Sequence, residues 1–214
     1  AAVMAGLERL VTLLLDGDTD GDVTEAVSLR KRGIGIESIV TGGIETAMMQ
    51  LDAKCTADQY NLLEIMLCGR AALSVLKELY PGDEQPVCRK GVVALASLEG
   101  DIHDLGKNMV KMILIATGFT VQDYGRDCPV ERLVESAGEE NLIAVGVSGL
   151  ITTVIPKVRR VKEELTQHGL SSIPVVAGGA ALKQASAEQL NVDYVAETAF
   201  DGLHFLNSLA GGTP

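Results

Sequence analysis

Between Ser97 and Asn108 the chain reads SLEGDIHDLGKN, which sets one of its three histidines among carboxylates. Gly100, Asp101, His103, Asp104 and Gly106 stand there, directly after the apolar run GVVALAS. An aspartate two residues before a histidine can accept the hydrogen of one ring nitrogen, leaving the lone pair of the other for a metal. One imidazole does not hold a bare ion, but it can hold a metal that arrives inside a macrocycle. Two further clusters close apolar runs. Ser148, Leu150 and Thr152 lie at and beyond the end of LIAVGVS, and Gly178 and Gly179 end IPVVAGG. Each has an ordinary reading by itself. Asp104 is a natural helix N-cap, Gly106 can let a helix pack closely on a sheet, Ser148 and Thr152 suit a turn, and a glycine pair suits a flexible turn. A phosphate site would want a glycine-rich turn such as G-x-G-x-x-G. Nucleophilic hydrolysis would want a G-x-S-x-G elbow. Neither is present in these loops.

The elements that must position these residues follow from periodicity. After residue 90, short apolar runs alternate with helical patterns: GVVALAS, FTVQDYG, LIAVGVS, IPVVAGG and VDYVAE are expected strands, each followed by a helix. Five such units imply an α/β fold with a parallel, doubly wound, flavodoxin-like (Rossmann-type) sheet. With strand order 2-1-3-4-5, ligands bind beyond the strand ends between strands one and three. That order would bring all three clusters to one rim.

The first part of the chain has a different grammar. MAGLERLVTLLLDG places Met4, Leu7, Leu10, Val11 and Leu14 at helical spacing. A second helix is expected with Asp22 as N-cap, Glu25 three positions on, and Gly33 as its stop. A third spans IESIVTGGIETAMMQLDAK, with Gly42 and Gly43 inside it allowing a bend or a close approach, and a fourth spans TADQY through Tyr80. Together they predict an N-terminal four-helix bundle over 1–80, a linker over 81–90 and the α/β domain over 91–214.

Composition narrows the class of function. The net charge of −11 argues against nucleic-acid binding, which needs a basic surface. No apolar run reaches a membrane span of about 18 residues, and Glu8 and Arg9 enter early for a signal peptide. Cys55, Cys68, Cys88 and Cys128 form no C-x-x-C pair, which suits reduced thiols and a cytoplasmic protein.

Taken together, D-x-H-x-x-G in DIHDLG, S-x-L in SGL and the closing GG resemble the cobalamin-binding domain in which the cofactor's benzimidazole is displaced by a protein histidine, as in methionine synthase. With the helical module in front, the whole chain is similar to the corrinoid methyl carriers of anaerobic three-component methyltransferases, such as O-demethylases and methanol or methylamine systems. The resemblance implies that His103 is the lower cobalt ligand and that Asp101 orients it. It implies that Gly106, Ser148, Leu150, Thr152, Gly178 and Gly179 receive the buried nucleotide tail. It implies a cofactor cycling between methylcobalamin and cob(I)alamin. The partners would be a donor-specific methyltransferase, a tetrahydrofolate-type acceptor methyltransferase and a reductive activator. Met48 is the candidate for covering the upper face. One position departs: where several relatives have a hydroxyl six residues after the serine, this chain has Val154, which puts the proton relay behind Asp101 in question.

Rival readings share parts of this pattern. A small subunit of an adenosylcobalamin mutase has the motifs but no need of a helical bundle. A cobalamin-dependent light sensor has a bundle, but also a DNA-binding segment and a Trp, and this chain has no Trp. A flavin domain would carry a phosphate loop. No region is large enough for a barrel that binds a methyl donor or folate, so the chain reads as a carrier and not as a complete enzyme.

Overall fold

The computed structural model describes residues 2–55, 61–82 and 89–211. The residues divide into two compact units, Ala1–Val87 with Ile115–Gly118, and Cys88–Leu114 with Phe119–Pro214. Cys88, most of the expected linker and the TADQY start of the expected fourth helix lie outside the described residues.

In the helical unit, α1 (Ala2–Asp16) presents Leu10, Val11 and Leu14 to the core. Gly17, at φ +69°, ends it in a left-handed turn that a side chain would strain. Helix α2 (Thr19–Lys31) then starts earlier than the sequence suggests. Asp18 is its cap, its carboxylate accepting the Gly21 N–H at 3.0 Å. Asp22, the expected cap, sits one turn inside the helix and is fully buried. The expected third helix is interrupted: α3 (Ile36–Ile39) passes into a π-helical stretch, Val40–Glu45, before α4 (Thr46–Lys54). Gly42 and Gly43 lie in that wide turn, where a Cβ on Gly43 would meet Leu10 at 2.7 Å. The glycines permit close approach to α1, and the π turn is the form the bend takes. Asn61 caps α5 (Leu62–Leu79) through the Glu64 N–H at 3.1 Å. Met48 is packed inside this unit, while Met49 beside it is exposed.

The second unit is a five-stranded parallel sheet in the order β2-β1-β3-β4-β5, with β1 Val92–Ser97, β2 Thr120–Asp123, β3 Leu142–Ser148, β4 Val175–Gly178 and β5 Tyr194–Val195. The order and direction are those expected. Helices α6 (Leu105–Ala116), α7 (Val130–Glu139), α8 (Ile155–Gln167), α9 (Ala187–Leu190) and α10 (Ala199–Leu209) connect and follow the strands. Alternate residues of β1, β3 and β4 (Ala94 and Ala96, Val145 and Val147, Val175 and Ala177) join Leu133, Val158 and Val161 of α7 and α8 in one core. The opposite face, with Val93, Leu95 and Val176, is buried too, and Phe200, Leu203 and Leu206 of α10 are buried with α10 against β3 and β4. Covered on both faces, the strands are continuous apolar runs. Polar residues are therefore left to the strand ends, where the three clusters stand.

Candidate functional site

At the ends of β1, β3 and β4 the pairing Ser97↔Ser148↔Gly178 aligns the three loops on one rim. The loop after β1 is organised by Asp101, which is fully buried. Its Oδ1 accepts the His103 N–H at 2.9 Å and the His103 ring at Nδ1 at 2.7 Å. Its Oδ2 accepts the Leu150 N–H at 2.7 Å, which locks the first loop to the second. Burial alone would push the Asp101 carboxyl up, but the N–H groups of Leu150 and His103 and the ring outweigh it and hold it below the usual carboxylate range. An ionised Asp101 has no proton to give, so Nδ1 carries the hydrogen and the lone pair of His103 sits on Nε2. The ring itself is 48% exposed. Ser97 Oγ donates to the His103 carbonyl at 3.0 Å from inside the sheet, fixing the far end of the loop.

The other candidates complete the rim. Gly106, in the first turn of α6, comes beside Ser148: a Cβ there would stand 3.8 Å from Ser148 Oγ. Asp104 accepts the Asn108 N–H through its carbonyl at 2.8 Å as α6 begins. Gly149 donates to the Gly178 carbonyl at 3.0 Å. Gly179, at φ +102°, lies so close to Gly149 that a Cβ would stand 2.5 Å from its carbonyl oxygen, so only glycine fits. Thr152 is exposed and opens the short 3₁₀ turn Thr152–Val154. Gly100 sits at φ +95° in the turn before Asp101. Met48 lies on α4 of the helical unit and is buried there.

A single imidazole with an oriented lone pair is the donor set, and among the described residues no group of three or more His, Cys, Asp or Glu side chains stands ready for a bare ion. Three large apolar side chains are exposed here, Ile102 and Leu150 in the loops and Leu105 at the start of α6. This chemistry suits a flat, largely apolar ligand that brings its own metal and offers one open axial position.

Residues 91–203 match the B12 binding domain family. The chain is 33% identical to dimethylamine corrinoid protein 1 of Methanosarcina acetivorans over 85% of this chain and 86% of the relative. It is 33% identical to dimethylamine corrinoid protein 2 of Methanosarcina mazei over 94% and 96%.

The chain belongs to the B12-binding corrinoid proteins.

In fold, this corrinoid protein is similar to a chain of the methanol:cobalamin methyltransferase complex of Methanosarcina barkeri, with a TM-score of 0.81 and 24% identity, covering 98% of this chain and 81% of that one. The corrinoid-protein relatives align with the helical part as well as the α/β part. That sets the chain with the methyl-carrier reading, and apart from a mutase subunit or a light sensor. Among the described residues no helix is long and apolar enough to cross a membrane.

Several residues that shape this rim and its support carry no signal in the sequence. Ser97 reads in the sequence only as the end of a strand. Gly149 carries no signal of its own between Ser148 and Leu150, although a Cβ there would meet Leu182 at 2.8 Å. Lys107, buried, donates to Asp123 at 2.8 Å and to Asn108 at 2.7 Å, tying α6 to the end of β2. A lysine two residues from a predicted loop carried no signal of burial. Val154, at the position of the absent hydroxyl, is buried in the apolar core. The Asp101 oxygen left over by His103 is taken by a backbone N–H, which donates a hydrogen bond but passes no proton onward.

Proposed function

We propose that the protein carries a methyl group on a corrinoid bound with its own benzimidazole displaced, and that His103 Nε2 takes the lower axial position. The observation that carries this reading is the Asp101 carboxylate, sealed from water and committed to His103 Nδ1, with Nε2 left as the free donor on a half-exposed ring. When bound, the corrinoid supplies a cobalt centre that takes up and gives away a methyl group. The protein's own residues do the rest. His103 would hold the corrinoid's metal through Nε2. Asp101 would keep the ring in register and the hydrogen on Nδ1. Gly106, Ser148, Leu150, Thr152, Gly178 and Gly179 form the slot for the nucleotide tail, where the glycines leave room for it. Met48, buried in the helical unit, stays the candidate residue for the methyl-bearing face.

The carrier works with two methyltransferases, one that loads the methyl group and one that removes it. The acceptor enzyme is of the tetrahydrofolate type, and a reductive activator restores the carrier after oxidation. The relatives are named for dimethylamine, so a methylated amine is the first donor to try.

The test is to load the protein, labelled with nitrogen-15 histidine, with cobalamin and to record the paramagnetic resonance of the cobalt(II) form. Axial coupling to histidine nitrogen is expected, and His103→Ala should lose it while keeping the cobalamin. Coupling to benzimidazole nitrogen in the wild type would overturn the reading.

A further inference from the structure

The loop between β2 and α7, DYGRDCP, enters the site from a side that the three motifs do not cover. Within it Asp127 has φ +52°, a left-handed conformation that most side chains avoid and that Asp and Asn tolerate best. Asp127 uses this conformation to grip the His103 loop twice. Its N–H donates to the Asp101 carbonyl at 3.1 Å, and its Oδ1 accepts the Gly100 N–H at 2.8 Å. The two bonds hold both ends of the Gly100–Asp101 link, where Gly100 itself turns through a left-handed φ. The flanking residue extends the grip. Cys128 N–H donates to the Ser97 carbonyl at 2.9 Å, and the Glu99 N–H donates to the Cys128 carbonyl at 2.8 Å. From the other side, Lys157 Nζ donates to the Glu99 carbonyl at 2.7 Å. Asp101 is thus fixed at its carboxylate by His103 and Leu150, and at its backbone by Asp127. Strain of this kind persists where the surroundings over-determine the backbone, and it gathers at functional sites.

We propose that Asp127 is a positioning residue for the axial histidine: it sets the backbone of Gly100 and Asp101 so that the Asp101 carboxylate meets His103 Nδ1 and Nε2 points outward. Asp127 acts through the Gly100–Asp101 backbone, and the inference rests on the assignment of His103 as lower ligand.

Three forms of the full chain, loaded with cobalamin in the cobalt(II) state, separate this role from simple fold support. Asp127→Gly accepts the left-handed φ without strain but removes the acceptor for Gly100. Asp127→Asn tolerates the φ and keeps an acceptor oxygen. The ratio of histidine-coordinated to uncoordinated cobalt should fall about tenfold in Asp127→Gly, the worth of one hydrogen bond to a charged acceptor. Its cobalamin content and melting temperature should stay near those of the wild type, and Asp127→Asn should restore most of the coordination. Unchanged coordination in Asp127→Gly overturns the proposal, as does an Asp127→Asn that coordinates no better than Asp127→Gly. Should Asp127→Gly fail to fold, amide exchange of wild-type protein decides: a protected Gly100 N–H supports the clamp, and one exchanging at the free-peptide rate overturns it. Loss of histidine coupling in the wild type itself would be a failure of the His103 assignment, visible before any variant is made.

Discussion

Asp22 in the helical unit and Asp101 in the α/β unit are both sealed from solvent, and they carry opposite electrostatics. Asp101 receives three N–H groups, and its carboxyl is held low although burial opposes this. Among the described residues the Asp22 carboxylate oxygens have no hydrogen-bond partner. Burial pushes it up to about 7, the charges of Asp18 and Asp20 push the same way, and the nearby Val23 N–H pulls only partly against them. The same side chain in equal dryness is a fixed anion in one unit and a neutral acid at the edge of physiological pH in the other. Burial sets how much a charge costs; the donors that the fold supplies decide whether it is kept. The β1 loop turns its N–H groups toward one carboxylate, while a helix interior has its N–H groups engaged along its own axis. The two carboxyls therefore contribute to stability in opposite directions with pH. Asp101, whose folded carboxyl lies below its unfolded value near 3.8, adds stability that is present above that pH and lost as pH falls through its folded pKa. Asp22, raised from 3.8 to about 7, withdraws stability progressively as pH rises between those values, and the deficit is complete above about 7.

The sharpest way to break this contrast is Asp101→Asn. The amide would turn an NH₂ group toward one of the N–H donors now paired, and the protein should lose about 3 kcal/mol at pH 7. Urea unfolding of the full chain would read this as a lower midpoint, and an unchanged midpoint would mean that the three bonds do not act together. With cobalamin bound, the same variant should raise the cobalt(II)/cobalt(I) midpoint potential, because the histidine becomes a weaker base.

Asp22→Asn should act with the opposite sign. At pH 8 the variant should be more stable than the wild type by about 2 kcal/mol, with little difference at pH 4, because only an ionised Asp22 carries the burial cost. Melting temperatures of both proteins across that range would show a gap that opens as pH rises; a constant gap would show that Asp22 does not titrate within the folded bundle.

The smallest effect should come from Gly43→Ala. The alanine gains about 1 kcal/mol of helix propensity, but its Cβ would meet the Leu10 side chain at 2.7 Å, and overpacking of that kind costs about 2 kcal/mol. A net loss of about 1 kcal/mol should lower the melting temperature by a few degrees. A gain would show that Leu10 swings aside freely and that the helical unit packs more loosely than its buried core suggests.

Much of the site could be read in advance because it is local. Asp101 and His103 are two residues apart, so their pairing needs only a turn, and the turn is announced by Gly100. The alternation of strands and helices implies a parallel sheet; the order 2-1-3-4-5 is an assumption about its winding, and the structure has that order. Asp22 misled because Asp22 and Glu25 have the spacing of a capping box. Asp18 is equally suited to the role, and the turn at Gly17 brings it to the helix end first. The π turn at Val40–Glu45 left no mark on the apolar periodicity beyond its two glycines.

The sequence by itself determined most of the elements and the chemistry of one imidazole backed by one carboxylate, because each is set by neighbours along the chain or by the period of a strand or helix. Tertiary structure alone decided which buried carboxylate is charged, that Leu150 donates to Asp101 across the rim, and that Asp127 grips Gly100 from a loop the motifs leave out. Those contacts join residues far apart in the chain through backbone N–H groups, which every residue type except proline carries, and so no residue letter announces them.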